Sequence, residues 1–67
     1  MNPATRAHLY VLRAHADDAM LIAVTAAAEY IAAPDTTSYE RLQTALRAYD
    51  HASDVWAIAA IQAASAS

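Results

Sequence analysis

Pro34 divides a 67-residue chain without a single glycine into two alanine-rich segments, and this division constrains the fold more than any other feature. The residue before a proline is driven away from helical angles, so a helix arriving from the N-terminal side has to stop there. Asn2 is a good N-cap, and Pro3 stands at the first helical position, where its missing N–H costs nothing. Nothing between Ala4 and Ala33 breaks a helix. Pro34-Asp35-Thr36 then forms a short turn, and Thr37 followed by Glu40 has the spacing of a capping box, in which each side chain satisfies the other residue's backbone N–H. The pattern predicts one all-α domain with helices over about 3–33 and about 38–64, a turn at 34–37, and a polar Ser65-Ala66-Ser67 end that frays.

A connection this short leaves two helices little choice but to lie antiparallel as a hairpin. At 100° per residue, Leu9, Leu12, Ala16, Met20, Ala23, Val24, Ala27, Tyr30 and Ile31 fall on one stripe of the first helix. Leu42, Ala45, Leu46, Tyr49, Ala52, Ser53, Trp56, Ala60 and Ala63 fall on one stripe of the second. These stripes should face each other, and their small residues allow a close approach. Apolar residues remain after that pairing. Val11 and Ile22 share a second line of the first helix, Leu21 lies on a third, and Val55, Ile58 and Ile61 leave the main stripe of the second. Pairing would gather most of this surplus at the open end and leave the turn end more polar. Two stripes can hide each other but not a second face, so the expected assembly is a homodimeric four-helix bundle of two hairpins. The alternative is a compact three-helix bundle, with a break near His15–Asp18 or near Asp50–Asp54.

A domain of this size folds marginally unless a disulfide, a metal or self-association adds to its core. With no cysteine present, disulfides and thiolate metal sites are excluded. Four arginines and no lysine against seven acidic residues make the formal net charge −3, which is no footprint for nucleic acid or anionic lipid. The acids are too scattered to mimic DNA. Alanine and arginine in place of lysine would suit a GC-rich bacterial or phage genome. The uncharged runs, Ala19 to Ala28 and Val55 to Ser67, fall short of the ~20 residues that span a membrane. Arg6, His8 and Arg13 interrupt the N-terminal apolar positions, so no signal-peptide core is expected and the default location is cytoplasmic.

Chemistry has little to work with. His8 and His15 share a helix face but stand ~10.5 Å apart along it, too far to hold one metal ion together. His15 with Asp18, and His51 with Asp54, give two-ligand pairs that are incomplete alone. No serine stands in a nucleophile motif, and no glycine loop is available for phosphate. The expectation is therefore no enzyme, no cofactor and no metal. Arg13 and Asp17, four residues apart beside the apolar stripe, are candidates for an ion pair that sets register. Tyrosine and tryptophan without phenylalanine suit interfaces, where an apolar ring carries a polar tip. Tyr10 and Tyr39 sit at stripe edges and join Val11, Leu21, Ile22, Val55, Ile58, Ile61 and Gln62 as interface candidates; Tyr30, Tyr49 and Trp56 belong to the stripes. The function expected from these features is a small helical protein–protein interaction module, a regulator or inhibitor that docks on a larger protein. Small phage proteins that disable host machinery share this size and composition. A self-associating scaffold is the alternative, and a nucleic-acid-binding regulator or antitoxin is disfavoured by charge.

Overall fold

The computed structural model describes residues 1–66, which form α1 (Pro3–Ala32) and α2 (Thr36–Ala66) in an antiparallel hairpin. Ser67, the last residue of the expected frayed end, lies outside the described residues. The hairpin is a rod of 48 × 15 × 11 Å with a radius of gyration of 15.2 Å, whereas a compact chain of this length would have about 11 Å. The His15–Asp18 and Asp50–Asp54 clusters both lie inside unbroken helix, so the three-helix alternative does not apply.

The contact between the helices follows a strict alternation of four and three residues. Along this line lie Thr5, Leu9, Leu12, Ala16, Ala19, Ala23, Ala26 and Tyr30 of α1 and Ser38, Leu42, Ala45, Tyr49, Ala52, Trp56, Ala59 and Ala63 of α2; Ala27, Gln43, Ser53, Ala57 and Ala60, beside it on one flank, are half-buried as well. This repeat averages 3.5 residues per turn and is the signature of a left-handed supercoil. A straight helix drifts from it by ~20° per heptad, which reaches ~80° over four heptads. The drift overturns part of the stripe drawn at 100° per residue. Met20, Val24, Ile31 and Leu46 do not enter the contact; Val24 is 60% exposed and Ile31 80%. Ala19, Ala26 and Ala59 take the inner positions instead. As a result the turn half is not the more polar one, because it carries Met20, Leu21, Ile22, Val24, Ile31, Tyr39 and Leu46 on its outside.

Two contacts fix the antiparallel register. Near the turn the rings of Tyr30 and Tyr39 lie 5.8 Å apart, tilted by 51°. Towards the open end the guanidinium carbon of Arg13 sits 5.0 Å from the centre of the Trp56 ring, a cation–π contact across the helices. Ala23, Ala26 and Ala45 form the core cluster, with Leu42 against it. Among the described residues the buried apolar ones are Ala16, Ala23, Ala26 and Ala45, and no large side chain is fully buried. A methyl group contributes only ~0.8 kcal/mol on burial, against 1.5–3 kcal/mol for a whole leucine or phenylalanine side chain. The interior is therefore tight but thin.

Both helix starts are capped by side chains. Asn2 Oδ1 accepts the Thr5 N–H at 2.8 Å, as expected. At α2 the cap differs from the expected Thr37–Glu40 box. Asp35 Oδ1 accepts the Ser38 N–H at 2.8 Å, and Ser38 Oγ accepts the Asp35 N–H at 3.1 Å. The Ser38 hydroxyl also donates to the Ala33 carbonyl at 2.9 Å, an acceptor left over at the end of α1. One buried serine thus ties both helix ends, and α2 begins at Thr36 rather than near 38. Ala33 leaves helical angles (φ −144°, ψ 78°) ahead of Pro34, and no described residue has a positive φ. A glycine-free chain can therefore make this turn without strain.

Two outcomes follow from this geometry. Ala45→Leu forces four-carbon bulk between helices set by methyl groups and should lower stability by about 1–3 kcal/mol in a urea titration; an unchanged midpoint would show that the seam is looser than described. The Ser38 N–H, then its hydroxyl, hold the Asp35 carboxyl below the usual carboxylate range. A group with a lowered folded value stabilises above its unfolded value, near 3.9, and that stabilisation is lost as pH falls through the folded value. Melting temperature should accordingly decline as pH falls below about 4, and Asp35→Asn should flatten that decline.

Candidate interaction surfaces

Once the seam is placed, each helix offers a flank on either side of it, and the two sides of the hairpin differ in chemistry. On one side an open groove of about 830 Å³ runs between the helices, lined by Ile22, Thr25 and Glu29 of α1 and by Arg41, Thr44 and Ala48 of α2, with Leu21 and Glu40 along its margins. A smaller hollow of about 310 Å³, bordered by Glu29, Asp35, Thr37, Ser38 and Arg41, carries the groove to the turn. By heptad position the same side continues towards the open end through Val11, His15 and Asp18 on α1 and His51, Val55, Ile58 and Gln62 on α2. Five of the sequence-derived interface candidates, Val11, Ile22, Val55, Ile58 and Gln62, therefore share one side. Leu21 borders it, and Ile61 points away on the outer back of α2. All of the apolar residues among them are exposed.

The opposite side carries Tyr10 and Tyr39, together with a patch that the straight-helix projection had assigned to the interior. Met20, Val24, Ala27 and Ile31 line it on α1; Tyr39 and Leu46 line it on α2. Its polar member is Gln43, whose Nε2 donates to the Tyr39 hydroxyl at 3.1 Å. No charged residue stands at the flanking positions of this side between Met20 and Ile31 or between Tyr39 and Leu46. Charge begins further towards the open end, where Arg13 Nε lies 3.8 Å from Asp17 Oδ1. That pair lies within α1 and both side chains are exposed, so it is worth a few tenths of a kcal/mol. The inter-helix work of Arg13 is done on Trp56. Met20, Val24, Ile31 and Leu46 were missed as surface residues in the sequence reading, and the four–three spacing of the alanines was the signal that would have found them.

The three histidines are exposed. Among the described residues, no group of three or more His, Cys, Asp or Glu side chains is arranged to hold a metal ion, and no helix is long and apolar enough to cross a membrane. What the molecule presents is surface: a groove with mixed charge on one side and an uncharged apolar patch on the other. No protein-family model, curated protein or solved structure matches the chain.

Proposed function

We propose that this chain is a small non-enzymatic association module of the cytoplasm, which regulates or inhibits a larger protein by seating one side of its helical hairpin on it. The observation that carries this reading is the inversion of its apolar content. Among the described residues the four buried apolar ones are alanines, while Tyr10, Val11, Leu21, Ile22, Val24, Ile31, Ile58 and Ile61 are each more than half exposed. Monomers rarely leave contiguous apolar surface of this kind uncovered unless it binds something. The groove suits a helix of a partner, since Val55, Ile58 and Gln62 on α2 and Val11 and Ile22 on α1 supply anchors at helical spacing. Glu29 and Arg41 at its turn end supply opposite charges for orientation.

A self-associating scaffold is the second reading, favoured by the thin interior, which gains from any added contact. Affinity capture with wild-type chain and with Ile58→Asp as paired baits separates the two. The regulator reading expects a specific protein held by the wild type and lost by about tenfold or more with Ile58→Asp, while circular dichroism shows both baits equally helical. Equal recovery on both baits would remove the groove as the docking site, and no enriched protein would leave the scaffold.

A further inference from the structure

We propose that the uncharged patch of Met20, Val24, Ile31, Tyr39 and Leu46 is covered by the same patch of a second copy of this chain, making a two-fold dimer that leaves the groove free. The inference rests on reading the chain as an association module and names the occupant of one of its two sides.

Area is the first argument. The hairpin exposes 4920 Å², whereas a compact protein of 7.1 kDa exposes about 4,100 Å². The surplus of about 800 Å² per chain equals the share that each partner contributes to a standard stable interface. Charge is the second. Permanent interfaces resemble a protein interior cut in half and exclude ions from their centre. The patch meets that requirement, and an uncharged surface meets its own copy with neither like-charge repulsion nor the cost of desolvating an ion. The groove does not, because Glu29, Glu40 and Arg41 line its turn half and His15, Asp18 and His51 follow towards the open end. Permanence is the third. A chain whose buried apolar residues are alanines, with its leucine and aromatic seam residues only half-buried, gains from a cover whenever it is folded, and a second copy is the partner always present. Val24 sits near the middle of the patch, with Ile31 and Tyr39 towards the turn and Met20 and Leu46 towards the open end. A two-fold axis there joins two hairpins as a four-helix bundle.

The chain has no cysteine, so a single introduced thiol reports position without interference. Light scattering over a micromolar concentration series should give a dimer for the wild type, and Val24→Asp should raise the dimer dissociation constant by about 100-fold or more, whereas Ile22→Asp in the groove should leave it within a few-fold. Should Val24→Asp fail to fold, the conservative variants decide. Val24→Cys should be joined chain to chain by a short bis-maleimide, while Ile22→Cys stays single. A monomeric wild type would overturn the proposal, as would loss of the dimer with Ile22→Asp alone, or cross-linking at Ile22→Cys in place of Val24→Cys. A monomer that still captures a protein through Ile58 would sink the dimer and leave the module reading standing; a dimer joined at Val24 that captures nothing would do the reverse.

Discussion

The close approach of two helices through alanine governs the rest of this molecule. Ala16, Ala23, Ala26 and Ala45 are the apolar residues buried where the helices meet, and the leucine and aromatic residues of the same seam are only half-buried. A seam of methyl groups gives many good van der Waals contacts and little area removed from water. Leu9, Leu12 and Leu42 enter the seam only half-buried, and most of the isoleucine and valine side chains stay on the flanks. The exposed apolar surface is therefore a consequence of the interior, and not an accident of sequence composition.

The turn converts that seam into a defined register. Ser38 accepts from Asp35, donates to Ala33 and so joins the end of α1 to the start of α2 without a glycine. With the helix ends tied there, Tyr30 meets Tyr39 and Arg13 reaches over Trp56. A slip of α2 by one position would part both pairs and turn different residues outward. The division of the hairpin into a charged groove and an uncharged patch thus depends on a serine at the turn.

Those two sides answer different physical demands. The patch is chemically an interior without a second half. The groove combines isoleucine and valine side chains with Glu29 and Arg41, a mixture that would favour a partner of complementary pattern over one that leaves the charges unmatched. Under the proposed regulatory reading, occupying a surface is the whole of the act.

Much of this was legible in the residues. Pro34 and the absence of glycine determine two long helices and one turn, because each acts on its own stretch of backbone. Asn2 and Pro3 determine the first helix start for the same reason. The lack of cysteine and lysine, and the scatter of the acids, narrow the chemistry directly. The start of α2 was less legible, since Asp35–Ser38 and Thr37–Glu40 are both plausible caps, and only Ser38 also reaches the unpaired Ala33 carbonyl of the other helix. The identity of the outward residues belongs to the tertiary structure alone. A single straight helix places Val24, Ile31 and Leu46 with the core; two helices wound about each other shift the seam to a 3.5-residue repeat and turn these residues to solvent. That winding is a property of the pair, so no local reading of either helix contains it.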